Sequence, residues 1–348
     1  ELYQKDRPFG RGRYDIISPD MKVSELGEFG LLKRLQALVP GGQGVLLGIG
    51  DDAAVLQGSA LELATTDSLV EGTHFNLQTA SPQDLGWKAL AVNISDIAAM
   101  GGVPRYALVS LSLPPTCELD WVLGVYHGLV EATKAYQVAI AGGDLHTAPL
   151  IAINVSLLGC LQGEAYLSRS ASRAGDLIGV TGHLGGAAGG LRTLKQGLKF
   201  NKEVEAYLRR AHWRPSPRVK EGQELLRLGV RAAIDVSDGL IADLGHLCQA
   251  SGVGARVAAD RGPIHPLLRQ AFGAETRELA LGGGEDYELL FTCPPPLMEK
   301  VRESLDITVL GEMIEGEMVE VVDREGRPLP LRKAGWEHFA PGNNKPQP

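Results

Sequence analysis

With 348 residues, 44% of them hydrophobic and 22% charged, the chain has the make-up of a globular protein of about two domains. Its formal net charge of −8 argues against nucleic acid as the main partner, and no apolar run reaches the roughly 18 residues of a membrane span. Four scattered cysteines without CxxC spacing argue against a zinc site or a disulfide framework; with no apolar signal segment at the start, they fit free thiols in a soluble, cytoplasmic protein.

Residues 1–20 are polar, charged and aperiodic and read as an extension; an N-terminal domain is expected over 21–162. Leu61 and Leu63 alternate with polar neighbours and predict a strand delivering Asp67 at its end, just after Thr65 and Thr66. Trp87, Leu90, Ala91, Ile94 and Ala98 recur at helical spacing and predict a helix over 82–100, stopped by Gly101 and Gly102. A strand over 106–113 closes at Pro114 and Pro115. Leu119, Val122, Tyr126, Leu129 and Val130 mark a second amphipathic helix, a short strand over 138–141 ends in Gly142, Gly143 and Asp144, and 150–161 reads as a buried strand.

The charged stretch 164–176 marks the crossing into a C-terminal domain, 163–341, with a tail over 342–348. A strand is expected over 177–180, a helix over 185–198, a basic, proline-bearing connection over 209–218 and a strand over 232–236. Leu240, Ile241, Leu244, Leu247 and Cys248 form one helix face, with Ser237 and Asp238 at its N-terminus, suited to capping. A late strand covers 289–292. Strands and helices mix in both halves, which gives the class α/β or α+β.

Six aspartates carry the chemistry: Asp52, Asp67, Asp96, Asp144, Asp235 and Asp238, each within two residues of glycine or a small hydroxyl residue. Singly, those next to glycine read as turn or cap residues. Asp96, near the end of its helix, opposes the dipole, and six such motifs exceed what turns require. Crowded carboxylates raise each other's pKa or repel. A convergent set therefore needs cations, and hard oxygen donors suit Mg²⁺, which keeps waters and bridges to phosphates.

No GxxxxGK[ST] loop and no kinase HRD or DFG occurs, and basic residues near the acidic motifs are few: His74, Lys88 and Arg169. A polyphosphate site of this kind leans on metal, with glycine doublets offering backbone N–H groups. His74 reads as a structural histidine or a phosphate contact. Glu285 suits a cationic substrate or a turn cap, and Trp336 a stacking surface or a terminal anchor.

The motifs GEFG (27–30), GIGDD (48–52), TTDSLVEGTHF (65–75), KALAVNISD (88–96), GGD (142–144), RPSPR (214–218), DVSDGL (235–240) and GGEDY (283–287) follow one another in an order that resembles the thiamine-monophosphate kinase family over about 24–340. The resemblance implies a two-domain fold of the aminoimidazole-ribonucleotide-synthetase-like superfamily. Its N-terminal domain would form a homodimer barrel, with a C-terminal α/β domain beside it. It implies direct in-line transfer from ATP to thiamine monophosphate, giving ADP and thiamine diphosphate with several Mg²⁺ ions. Metal ligands then fall on Asp52, Thr65, Thr66, Asp67, Asp96, Asp144, Asp235 and Asp238. ATP contacts fall on Tyr126, Gly143, Arg169 and Ser237, and substrate contacts on His74, Glu285 and Trp336. The competing expectations are a sister ATP-dependent synthetase, disfavoured by cysteine placement, and a nucleotide- or metal-binding module without turnover.

Overall fold

The computed structural model describes residues 30–31, 34–47, 55–58, 61–329 and 335; Asp52 and Trp336 lie outside them. A short antiparallel pair, β1 (Val45–Leu47) and β2 (Val55–Leu56), leads into the first main unit. That unit comprises β3 (Glu62–Val70), α1 (Pro82–Ala99), β4 (Val103–Leu113), α2 (Leu119–Tyr136), β5 (Ala139–Thr147) and β6 (Ala152–Cys160), with sheet order β3-β6-β4-β5.

The helix α1 starts where Ser81 Oγ accepts from the Asp84 N–H at 3.1 Å, with Pro82 in the first turn. It is buried on almost every side, which its alanine-rich sequence permits. The crossing with α2 is close: a Cβ on Gly86 would lie 1.9 Å from the Val125 carbonyl oxygen, so only glycine fits. Leu69, Val109, Leu111, Ile153 and Val155 form the sheet side of this core, with Leu90, Ile94, Val122 and Leu129 opposite.

The second unit is built on a six-stranded sheet, β12-β9-β11-β7-β10-β8. Its strands are β7 (Leu177–Thr181), β8 (Ala232–Asp235), β9 (Gly254–Ala258), β10 (Leu289–Cys293), β11 (Ile307–Ile314) and β12 (Val319–Val322). Pairing is antiparallel except between β9 and β12. Helices α3 (Gly186–Gln196), α4 (Lys202–Trp213), α5 (Val219–Leu228), α6 (Leu240–Ser251), α7 (Pro266–Phe272), α8 (Thr276–Gly282) and α9 (Pro295–Ser304) surround it. One apolar layer gathers Ile178, Val180, Ile234, Leu244 and Leu247; another gathers Leu225, Leu289, Phe291, Met298 and Val301. Trp213, at the end of α4, is buried instead in the core of the first unit and anchors the two together. Together these make the two-domain α/β architecture expected from the sequence. All four cysteines are free, and among the described residues no helix is long and apolar enough to cross a membrane.

Three expectations need correction. The connection expected over 209–218 is helical as far as Trp213, because Asn201 Oδ1 caps α4 by accepting from the Val204 N–H at 3.0 Å and Val204 and Leu208 supply a buried stripe. The strand expected to stop before Gly142 runs on through Asp144 to Thr147. Glycine at 143 lets β4 pass close by; a Cβ there would sit 1.8 Å from the Val109 carbonyl oxygen. Asp67 lies inside β3 rather than at its end, since cross-strand pairing continues to Val70.

Candidate active site

Alternation along β3 turns Thr65 and Asp67 toward α1. There Thr65 Oγ1 donates to Asp96 Oδ2 at 2.5 Å. One residue before Asp96, Ser95 Oγ donates to Asp235 Oδ2 at 2.8 Å, at the end of β8 in the second unit. Three carboxylates from two domains thus share one neighbourhood. Desolvation leads the rise of Asp67 to about 6, although the residue is open to solvent on one side, and the Asp96 charge adds to it. Asp96 is also raised, by burial, against the hydrogen bond from Thr65 and the charge of Arg169. Asp235, buried, is pushed up to about 8 by desolvation and by Asp96. Arg169 is exposed, and its charge reaches both Asp96 and Asp235.

Beyond β8 the chain forms a tight loop before α6. Ser237 and Asp238 do not cap that helix: its N-cap is Gly239 at φ +128°, a conformation that favours glycine. Asp243 in the first turn reaches back instead, and its Oδ2 accepts the N–H groups of Ser237, Asp238 and Gly239 at 3.0, 3.1 and 3.0 Å. A backbone-satisfying acid one turn inside the helix does the work expected of a cap. Asp238, Asp243 and His246 each place one potential metal-ligand atom within 4.8 Å of the others.

The GGEDY segment closes over this loop. The Glu285 N–H donates to the Ser237 carbonyl at 2.8 Å and the Tyr287 N–H to the Val236 carbonyl at 2.9 Å. Glu285 and Tyr287 have φ of +68° and +52°, left-handed values uncommon outside glycine. Glu285 Oε1 lies 2.7 Å from Lys88 Nζ of α1, and Oε2 lies 3.3 Å from His212 Nδ1 of α4. Burial would raise the Glu285 carboxyl, but Lys88 and His212 outweigh it and hold it well below the usual range. It is Asp286, not Glu285, that serves the turn: its carboxylate accepts from the Gly185 and Ala187 N–H groups at the start of α3. Glu288, next along, accepts from Arg218 Nε and Nη2 at 2.5 and 2.6 Å.

Not every expected site residue joins this group. The side chains of Thr66 and Ser68 turn to the other face of the sheet, where Thr66 meets Ser156 and Asn154 donates to Ser68. Asp67 pairs across β6 and β4 in one row, Asp67–Val155–Val109–Gly143. Asp144 belongs to the next row, Ser68–Asn154–Ser110–Asp144, so it projects from that other face at the opposite edge. It is exposed and bonded to His146 Nδ1 at 3.0 Å. Tyr126 lies on the buried face of α2 within the core, and that burial pushes its phenol up. His74 Nδ1 accepts from the Val70 N–H at 3.0 Å, leaving the neutral ring's proton on Nε2.

Residues 50–161 match the family described as AIR synthase related protein, N-terminal domain, and 173–324 match the corresponding C-terminal domain. The chain is 40% identical to thiamine-monophosphate kinase of Salmonella typhimurium over 332 residues, which cover 90% of this chain and 98% of that one. The chain belongs to the thiamine-monophosphate kinase family. Among solved structures, the thiamine-monophosphate kinase from Stenotrophomonas maltophilia K279a is 39% identical, with a TM-score of 0.78 over 87% of this chain and 98% of that one. AaThiL complexed with AMPPCP and TMP is 36% identical, with a TM-score of 0.73 over 92% and 100%.

For this member of the thiamine-monophosphate kinase family, the residues that sequence reasoning passed over are Ser95, Asp243, His212 and Arg218. Ser95, Asp243 and His212 sit against members of the expected set, whereas Arg218 holds Glu288 beside it. Lys88 stood out only as a cation near acids. The stronger signal was a lysine inside a helix apolar on every side, since a buried ammonium requires a partner.

Proposed function

We propose that this protein transfers a phosphoryl group in line from ATP to thiamine monophosphate, giving ADP and thiamine diphosphate, with several Mg²⁺ ions at the site. The observation that carries the reading is the convergence of Asp67, Asp96 and Asp235, all with raised proton affinity, in a chain whose named relatives are thiamine-monophosphate kinases. One structure in that family is described as a complex with AMPPCP and TMP.

The donor set fits Mg²⁺: crowded carboxylates that otherwise retain protons are hard oxygen ligands, and a divalent cation relieves their repulsion. Asp52, Asp67, Asp96, Asp235 and Asp238 would hold the ions, with Thr65; Thr66, whose hydroxyl faces the other side of the sheet, would offer only its main-chain oxygen. Bound there, Mg²⁺ neutralises charge on the transferring phosphoryl group. Thr65 and Ser95 orient Asp96 and Asp235 through their hydrogen bonds. Arg169 and Ser237 take ATP, His74 meets the acceptor phosphate, and Glu285 faces the cationic ring of thiamine, with Trp336 as a stacking surface. The acceptor phosphate is already largely ionised at neutral pH, so the reaction calls for positioning rather than a strong general base.

Gly143 and Asp144 support a homodimer. Asp67 and Asp144 stand on opposite edges of a four-stranded sheet, about 14 Å apart along it from the strand spacing, and on opposite faces. We therefore place Asp144 and Gly143 in the site of a second copy. A cytoplasmic setting suits the four free thiols.

Incubation of the purified protein with Mg-ATP and thiamine monophosphate tests the reading. Thiamine diphosphate and ADP in equal amounts support it. ADP with free phosphate and no thiamine diphosphate would move the assignment to a sister synthetase, and ATP binding without turnover to a binding module.

A further inference from the structure

Lys88 is 1% exposed, and its ammonium has one ion-pair partner among the described residues, Glu285. Its other close neighbour is the ring of Trp213, 5.1 Å from Nζ to the centroid. His212 of α4, also 1% exposed, brings Nδ1 to 3.3 Å from the second Glu285 oxygen without a well-aligned hydrogen bond. The carboxylate is therefore ion-paired with Lys88 at one oxygen and flanked by His212 at the other, while 30% of the side chain remains exposed. The backbone beneath is set in a left-handed conformation and bonded to Ser237. Such strain at a non-glycine residue persists where its surroundings over-determine it.

A plain interdomain clasp needs neither an exposed carboxylate face nor flanking groups from two separate helices. Lys88 lies eight positions before Asp96, about 12 Å along α1. One rigid, buried helix thus carries a carboxylate of the phosphoryl site toward one end and the anchor of Glu285 toward the other. We propose that Lys88, assisted by His212, is a positioning residue that aims Glu285 at the quaternary ring nitrogen of the acceptor, so that α1 sets the span between that ring and the phosphoryl site. The inference rests on the assignment of Glu285 to the acceptor.

The test compares steady-state KM values for thiamine monophosphate and for ATP in Lys88→Met, Glu285→Gln and the double variant. Lys88→Met is expected to raise KM for thiamine monophosphate about tenfold or more and KM for ATP less than about twofold. The double variant is expected to match Glu285→Gln alone, because Lys88 acts through that carboxylate. Equal changes for both substrates, a lowered unfolding midpoint with unchanged KM values, or multiplying effects in the double variant would each reduce Lys88 to a structural clasp. If Glu285→Gln itself leaves KM for thiamine monophosphate unchanged, the assignment of Glu285 fails and takes this inference with it. Should Lys88→Met not fold, His212→Leu frees the other oxygen, and a rise of about threefold in KM confined to thiamine monophosphate is expected. No such selective rise overturns the proposal.

Discussion

Ser95 Oγ donates a 2.8 Å hydrogen bond to Asp235 Oδ2, and both residues are buried. The bond joins the last turns of α1 to the end of β8, so the helix that supplies Asp96 also orients a carboxylate of the other domain. Replacing Ser95 by Ala leaves a buried acceptor without its donor. The expected cost is about 1–3 kcal/mol in denaturant unfolding, together with a higher Mg²⁺ requirement for turnover. Unchanged values of both would remove this bond from the site's support.

The metal-free protein should lose stability as pH rises. Asp67, Asp243 and Asp235 titrate near 6, 7 and 8 when folded, against an ordinary 3.8. Between those limits the folded state binds more protons than the unfolded one, so the contribution is fully present below pH 3.8 and is lost through pH 6 to 8. Thermal unfolding in chelator should show a falling midpoint across this window. Added Mg²⁺ should stabilise more at pH 8 than at pH 6, because it binds the ionised carboxylates. A Mg²⁺ effect independent of pH would contradict the placement of metal on Asp67 and Asp235.

Asp67→Asn removes a ligand and also relieves repulsion with Asp96. Turnover should fall by about 100-fold or more while the metal-free midpoint holds or rises. Asp238→Asn should behave alike. An unaltered rate in either variant takes that residue out of the metal site.

The RPSPR segment divides its two arginines between the domains. Arg214 joins Asp84 at 2.7 Å and Glu131 at 2.8 Å in the first unit, while Arg218 grips buried Glu288 in the second. Arg218→Met should cost about 3–5 kcal/mol, because it strands a buried charge. Arg214→Met should cost less, about 1–3 kcal/mol, since Asp84 keeps Arg209 at 2.8 Å. Urea unfolding of the two variants checks the order; a reversed order would mean that the first-unit contact dominates.

The linear chain determined by itself what periodicity and local chemistry encode. The α1 and α2 stripes, the strands around Asp67 and Asp235, and the motif series that identifies the family all depend on neighbours within a few residues. The helices over 219–228 and 266–282 stayed illegible, being short and set among glycines and prolines whose turn signals mask the apolar period. Only the tertiary structure decided which acids meet. Strand order and register send Asp67 and Asp144 to opposite edges and faces of one sheet, whereas Ser95 and Asp235, 140 positions apart, share a hydrogen bond. Nothing in a short string specifies strand order, because pairing is settled by burying one face of the whole sheet at once. The same reason hid the meeting of Lys88, His212 and Glu285: they stand far apart in the chain, and only packing brings them together and removes the water that would otherwise satisfy them.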